Sequence, residues 1–284
     1  MSLMRKIDFS NKSITNTMIM TVIVFVVIIF SFIFGEYLPP AYDWHHTYFP
    51  AARALLNGGT PYYPGSPLEN PIWVCLFLAP FAVFPEPVGQ ALLLFASVAA
   101  YYAGLHGAGL PRKWIPLIFL SPQVLYGISM GTIDSFVFMA PALHPILGFV
   151  VALSKPQIGI GFAVFLLVEW VREGKYREML LALALAGGGI LISLWLGMPF
   201  SGRLISSPWN TSLYPYSILP GLILLFLAVS KRWKWKSMIA SPMLSPYLTF
   251  HSWVVLFTVN NPYYLTGMFV FSWAAYLTWH FLNL

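Results

Sequence analysis

Charged residues are scarce in this sequence. Asp, Glu, Lys and Arg make up only 8% of its 284 residues, whereas a soluble globular domain carries about 25%. So few charges cannot cover a surface that faces water, and the composition therefore excludes a soluble globular enzyme. Hydrophobic residues make up 58% of the chain, which also excludes intrinsic disorder. The class that remains is a protein whose apolar surface faces lipid.

Cysteine is almost absent, since Cys75 is the only one in the sequence. A single cysteine excludes an intrachain disulfide and a cysteine-based metal cluster. His45 and His46 are adjacent, and neighbouring side chains diverge on a helix or a strand, which is poor geometry for two ligands of one metal ion. We therefore expect no metal site and no other cofactor.

Long apolar runs, by contrast, follow one another along the chain. A helix that crosses a bilayer needs about 20 apolar residues, so the length admits about nine or ten crossings joined by short connections. We predict one all-α, polytopic membrane domain over residues 1–284. Several of the runs are short for a full crossing. The runs lie at about 18–34, 71–84, 88–105, 114–130, 136–153, 157–171, 179–197, 213–230, 238–258 and 263–282.

The positions of the basic residues predict an orientation. Arg5, Lys6 and Lys12 precede the first run. Because positive residues favour the cytoplasmic side, we expect a cytoplasmic N-terminus and cytoplasmic loops at 172–177 and 231–236. The net charge of +6 then indicates topology and not a nucleic-acid partner. If every apolar run crosses the membrane, Arg112–Lys113 lies outside the cell, which disagrees with the preference of positive residues for the cytoplasmic side. That pair is an exception, or a neighbouring run is re-entrant, and the proline-interrupted run at 136–153 is a candidate.

The longest polar stretch, residues 37–70, follows the first run and is predicted to lie outside the cell. Apolar residues at helical spacing over Tyr48–Leu56 predict a short interfacial helix, which Gly58–Gly59 ends. Asp43 lies among aromatic residues near the start of this stretch. A carboxylate there suits a general base that takes a proton from a sugar hydroxyl. The alternative is an aspartate that caps the short helix.

Few ionisable residues lie in or between the other apolar runs, and inside a membrane such residues are functional hypotheses by default. Lys155 precedes Pro156, which starts a helix, so its ammonium and the free N–H groups of that helix suit a phosphate. The alternative is a lysine that snorkels to the headgroups. His251 is either a hydrogen-bonded core residue or part of a polar cavity. For Asp134 the alternative role is a helix cap.

Four segments in a fixed order carry a family resemblance. They are Asp43 followed by Tyr48, Ala51-Ala52, Leu55-Leu56, Gly58-Gly59 and Pro61-Tyr62; then Asn70-Pro71-Ile72-Trp73; then Ser121-Pro122 with Gly131-Thr132-Ile133-Asp134 and Lys155-Pro156-Gln157; and last Leu244-Ser245-Pro246 with His251. The chain resembles the polyprenyl-phosphate-sugar-dependent glycosyltransferases of the GT-C fold, in particular glycosyltransferase family 87, which includes bacterial α-mannosyltransferases. The likeness spans about residues 14–258.

The resemblance implies a GT-C-like helical bundle and direct displacement at the sugar C1 with inversion. Asp43 would be the catalytic base, and Lys155 with Gln157 would bind the phosphate of the lipid-linked donor. The further cavity residues that it implies are His251, Tyr48, Tyr62, Asn70 and Asp134. The donor would be a polyprenyl-phosphate hexose, with mannose as the first choice, and the acceptor a glycolipid or a glycan.

The resemblance also implies a location, namely the plasma membrane of a prokaryotic cell with the active site on the extracytoplasmic side. Two other functions fit an apolar chain with one polar loop. The first is a transporter or lipid flippase without glycosyl-transfer chemistry, which needs polar residues along a path through the bilayer. The second is a structural membrane subunit whose polar loop binds a partner.

Overall fold

The computed structural model describes residues 11–199 and 205–282, and every regular element in these ranges is helical, which confirms the predicted all-α class. The α-helices are α1 (Asn11–Phe34), α2 (Phe49–Leu56), α3 (Ile72–Ala82), α4 (Glu86–Gly107), α5 (Ile115–Phe119), α6 (Pro122–Met130), α7 (Asp134–Met139), α8 (Pro145–Ala152), α9 (Pro156–Arg172), α10 (Tyr176–Trp195), α11 (Ile218–Ser230), α12 (Ala240–Leu244) and α13 (Pro262–Leu282). A π-helical turn covers Trp44–Tyr48, and 3₁₀ segments cover Gly35–Tyr37, Arg112–Trp114, Ala140–Ala142, Lys236–Ile239 and Phe250–Thr258. Arg5 and Lys6 lie outside the described residues.

Three helical segments in the described ranges are long and apolar enough to cross a membrane. They are Ile19–Tyr37, Glu86–Gly107 and Tyr176–Trp195. This number is smaller than the nine or ten crossings predicted from the apolar runs. Prolines explain part of the difference, because a proline starts a helix readily but breaks one that runs through it. The runs at 114–130 and 136–153 are each divided into short helices, and α6 and α8 begin at Pro122 and Pro145.

Several helices carry large apolar side chains that the rest of the protein leaves uncovered. Phe25 on α1 is 63% exposed, Leu191 on α10 is 68% exposed and Phe226 on α11 is 69% exposed. Rows of exposed apolar side chains are unfavourable in water and mark a surface that contacts lipid or another protein. With the three long apolar helices, they indicate that the protein associates with a membrane.

The long helix α4 joins two ends of the molecule. α4 begins at Glu86, whose carbonyl accepts a hydrogen bond from the Trp44 indole at 3.2 Å, and it ends at Gly107, which packs against the Trp235 ring. Arg172 at the end of α9 donates a hydrogen bond to the Val229 carbonyl, in the last turn of α11, at 2.7 Å. We call the end that contains Trp44 the cavity end. The end that contains Trp235, with the loops 108–114, 172–175 and 231–236, is the basic end.

The loop with Arg112–Lys113 follows α4 at the basic end, together with the basic residues of the other two loops. The structure thus groups this pair with the other basic loops, which strict alternation of crossings does not. The reason is α3, whose 11 residues span only about 16 Å and cannot cross a bilayer. The chain thus returns from α3 to the cavity end before α4 begins. The run 71–84 therefore stays at the cavity end in the structure, and a re-entrant segment in a membrane stays a prediction.

The outer loop is held against the first half of α4. The short helix predicted over Tyr48–Leu56 is confirmed as α2, and the π-helical turn lies directly before it. The Gln90 side chain on α4 accepts a hydrogen bond from the Ala41 N–H at 3.0 Å. It also donates one to the Pro39 carbonyl at 2.8 Å. Trp44 is fully buried. Asp43 lies between these two anchored positions, so α4 sets its place.

Gly131 allows the loop after α6 to approach this anchor closely. Its φ is +69°, and a Cβ atom there would lie 2.8 Å from the Trp44 Cβ atom.

We expect Gly131→Ala to lower the free energy of unfolding by about 1–2 kcal/mol, because the left-handed conformation penalises a side chain and the added methyl group overlaps Trp44. The control is Gly187→Ala on α10, where a Cβ meets no atom within 4 Å and alanine favours the helix. Thermal unfolding in detergent is the measurement, and equal melting temperatures for the two variants would contradict the expectation.

Candidate active site

A cavity of about 840 Å³ opens at the cavity end of the molecule. Its walls come from segments that are distant in sequence: the turn before α2, the segment before α3, the end of α6, the junction of α8 and α9, the loop after α12, and α13. Cavities of this volume that combine apolar walls with a few polar groups are typical of small-molecule sites.

Six of the eight residues predicted from the sequence line this cavity, and the other two contact residues that do. The lining residues are Asp43, Tyr48, Asn70, Lys155, Gln157 and His251. Asp134 lies behind the wall, fully buried and ion-paired with Lys155. Tyr62 does not line the cavity, and its hydroxyl donates to the Asn70 carbonyl at 2.8 Å, so it supports the wall. The chemical roles assigned to these residues stay predictions.

Asp43 presents an ionisable carboxyl group to the cavity. Its backbone is helical and its side chain makes no capping hydrogen bond, so the alternative of a helix cap is wrong. The carboxylate has no hydrogen-bond partner among the described residues and is partly exposed. Burial raises the pKa of the Asp43 carboxyl to about 6, the Lys155 ammonium opposes this rise and the Asp134 carboxylate adds to it. A pKa near neutrality is what a general base needs.

A buried network of polar groups forms the floor beside Asp43. Lys155 donates to one carboxylate oxygen of Asp134, and the Ser252 hydroxyl donates to the other at 2.7 Å. The Lys155 ammonium also lies 3.3 Å from His251 Nε2, which in turn contacts the Thr249 hydroxyl at 2.9 Å. Lys155 is buried and ion-paired, so the alternative that it snorkels to the headgroups is wrong. The alternative that Asp134 caps α7 is also wrong, because its carboxylate makes no capping hydrogen bond there. His251 is both a buried, hydrogen-bonded residue and a cavity residue.

The junction between α8 and α9 is held rigidly from one side. The Asn70 side-chain amide donates to the Ser154 carbonyl at 2.8 Å, and the Trp73 indole donates to the Ser154 hydroxyl at 2.8 Å. Pro156 occupies the first turn of α9, as predicted. Lys155 and Gln157 therefore face the cavity from a fixed turn at a helix N-terminus, where peptide N–H groups favour an anion.

Sequence reasoning missed the aromatic residues that the second half of the chain contributes to the cavity. Tyr247 is an example. Burial, and after it the carboxylates of Asp43 and Asp134, raises the pKa of Tyr247 to about 12, which places the phenol near both acids. The high aromatic content of 17% was the only signal, and the expected aromatic belt of a membrane protein accounts for the same number.

The Lys155–Asp134 pair is expected to dominate the stability of the site. Asp134→Asn leaves a buried ammonium without its counter-ion, and Lys155→Met leaves a buried carboxylate, so each should lower the free energy of unfolding by about 3–5 kcal/mol. The double variant should lose less than the sum of the two losses. Thermal unfolding in detergent is the measurement. Glu173→Gln removes an exposed ion pair with Lys175 and should leave the melting temperature unchanged. Additive losses would show that the pair is not coupled.

No protein-family model, curated protein or solved structure matches the chain significantly. The function is therefore inferred from the residues of the cavity and from their geometry.

Proposed function

We propose that the protein is an integral-membrane glycosyltransferase that moves a hexose from a polyprenyl-phosphate donor to an acceptor hydroxyl. The observation that carries this proposal is the Asp43 carboxyl group. It faces a cavity of substrate size, has no protein partner among the described residues, has a pKa of about 6, and lies near a buried lysine at a helix N-terminus. The ordered motifs that resemble glycosyltransferase family 87 support the same function.

The proposed reaction is a direct displacement. The acceptor oxygen attacks C1 of the donor sugar as Asp43 takes its proton, and the bond between C1 and the phosphate oxygen breaks. Polyprenyl phosphate leaves with the electron pair of that bond, and the new glycosidic bond has the opposite configuration at C1. The leaving group is already anionic, so it needs electrostatic stabilisation more than a proton.

Lys155 and the first turn of α9 supply that stabilisation in the proposal. An ammonium group has three N–H donors; Asp134 and His251 engage two of them, and the third is available to a phosphate oxygen. The Lys155 and Asp134 charges cancel, so the pair alone provides no net attraction for an anion. The peptide N–H and the side-chain amide of Gln157 at the start of α9 add uncharged donors.

The two ends of the molecule fit a membrane orientation with the cavity outside the cell. Basic loops collect at the basic end, which the positive-inside rule assigns to the cytoplasm. The cavity then faces the extracytoplasmic side, and the exposed apolar helix faces leave room for a polyprenyl chain in the bilayer. A GT-C-like bundle in a prokaryotic plasma membrane is part of this proposal.

Replacing Asp43 tests the proposal. Proteoliposomes with the purified chain receive radiolabelled polyprenyl-phosphate mannose and a glycolipid extract, and the label in new glycosidic linkage is counted. We expect Asp43→Asn to reduce transfer at least about 100-fold, the range of a lost general base. Glu36→Gln makes the same chemical change at an exposed carboxylate that does not line the cavity, and it should keep wild-type activity.

Two outcomes of this assay would contradict the proposal. Full transfer by Asp43→Asn would remove Asp43 from the chemistry. Movement of the labelled lipid between leaflets by the wild-type protein, with no new glycosidic bond, would identify a flippase.

The pH dependence of transfer is a second test. A base works only when it is ionised, so the rate should be constant above pH 7 and fall as the pH drops through the Asp43 pKa of about 6. Below that value the fall should approach about tenfold for each pH unit. Initial rates from about pH 4.5 to 8, with the melting temperature measured at each pH as a control, give the profile. A flat profile down to pH 5 would exclude Asp43 as the base.

A further inference from the structure

An aromatic wall forms one side of the cavity, and all but one of its residues come from the second half of the chain. It consists of Tyr126 on α6, Trp209 before α11, Tyr247 and Phe250 after α12, and Tyr276 and Trp279 on α13, all of which line the cavity. The rings of Trp209 and Trp279 lie 5.4 Å apart between centroids, and Phe250 and Tyr276 lie 5.6 Å apart. Four separate segments thus bring their rings to one surface.

The wall is only partly packed: Tyr276 contacts the rings of Tyr126 and Phe250, but Trp209 stays open. Trp209 is 54% exposed, although it lines a cavity where more complete packing would be expected if its role were structural. Nor does it have the geometry of a belt at the membrane surface, because these rings are grouped around an internal cavity and are not spread along the outer faces of helices.

The wall also carries hydroxyl groups that have no hydrogen-bond partner in the part of the chain that the structure describes. The phenol hydroxyls of Tyr126, Tyr247 and Tyr276 make no hydrogen bond within the described residues. The same is true of Tyr48, which lines the cavity from the π-helical turn although only 4% of the residue is exposed. A polar group in such a place costs free energy unless a ligand or water completes its hydrogen bonds.

These features together specify the chemistry of a ligand. Flat apolar rings match the C–H faces of a sugar ring, and unused hydroxyls match its many hydroxyl groups. An aliphatic chain would satisfy the rings but leave the hydroxyls unpaired. An anion would find no positive side chain among the six residues of the wall.

We propose that the aromatic wall is the subsite that binds a sugar ring of the acceptor. The wall and the general base line the same cavity, and the Asp43 carboxylate, acting in addition to burial, raises the pKa of both Tyr126 and Tyr247. Tyr126 also contacts His251, with 5.8 Å between ring centroids, which joins the wall to the Lys155 network. The identification of this sugar as the acceptor rests on the proposed function, whereas the subsite itself does not.

Direct binding of simple glycosides tests the subsite without any transfer reaction. The purified chain in detergent is titrated with the methyl glycosides of mannose, glucose and galactose, and binding is followed by saturation-transfer NMR. We expect saturable binding of at least one glycoside, and about a tenfold loss of affinity in Trp209→Ala, which corresponds to one lost ring contact. Trp195→Ala is the matched control, since Trp195 is 83% exposed and does not line the cavity.

Tyr276→Phe keeps the ring and removes the hydroxyl, so it separates stacking from hydrogen bonding. We expect a threefold to tenfold loss of affinity, about the value of one hydrogen bond. Unchanged melting temperatures of Trp209→Ala and Tyr276→Phe show that the variants remain folded. No saturable binding of any glycoside, or equal losses in Trp209→Ala and Trp195→Ala, would overturn the proposal.

The transfer assay separates this proposal from the proposed function. If Asp43→Asn is inactive but Trp209→Ala keeps both glycoside binding and the wild-type KM for acceptor, the subsite is wrong and the function stands. If Asp43→Asn transfers normally but Trp209→Ala loses glycoside binding, the subsite stands and the general-base role is wrong. If Trp209→Ala raises the KM for acceptor without changing the KM for donor, both are supported.

Discussion

The ion pair between Lys155 and Asp134 is the interaction on which the cavity depends. Both side chains are buried, and burying a charge is costly unless an opposite charge and hydrogen bonds compensate it. The pair meets that condition through Ser252 and His251. Because Asp134 opens α7 and Lys155 directly precedes α9, the same contact brings the two ends of the 134–155 hairpin together. A local electrostatic requirement thereby fixes the course of the chain.

The part of the cavity that carries Asp43 depends on packing rather than on charge. Trp44 is fully buried and bonded to the start of α4, and Gly131 gives it room by having no side chain. Asp43 precedes Trp44 in the chain, so its position follows from the burial of its neighbour. The acid that faces the cavity thus has few interactions of its own, which leaves its carboxylate available to a ligand and its pKa near neutrality.

Short helices are what make this site possible in a chain that is so apolar. Continuous crossings would leave loops only at the membrane surfaces, whereas the short helices bring the residues before α3 and after α8 to the cavity and Asp134 of α7 to the buried network behind its wall. The sequence pointed to such breaks through its prolines in the run at 136–153, but it did not show that the run at 71–84 forms a helix of only 11 residues. A hydropathy profile shows that a run of residues is apolar. It does not show how many of those residues lie in one continuous helix.

The amino-acid sequence by itself determined the all-helical class, the short helix of the outer loop and the few ionisable residues that deserve a functional hypothesis. It did so because charge is rare in an apolar chain, so each buried charge is conspicuous. Only the tertiary structure decided that Lys155 is paired with Asp134, that Tyr62 supports the wall without lining it, and that aromatic residues of α6 and α13 line the same cavity as Asp43. Most of these contacts join residues that are far apart in the sequence, and they depend on helix packing, which no local pattern encodes.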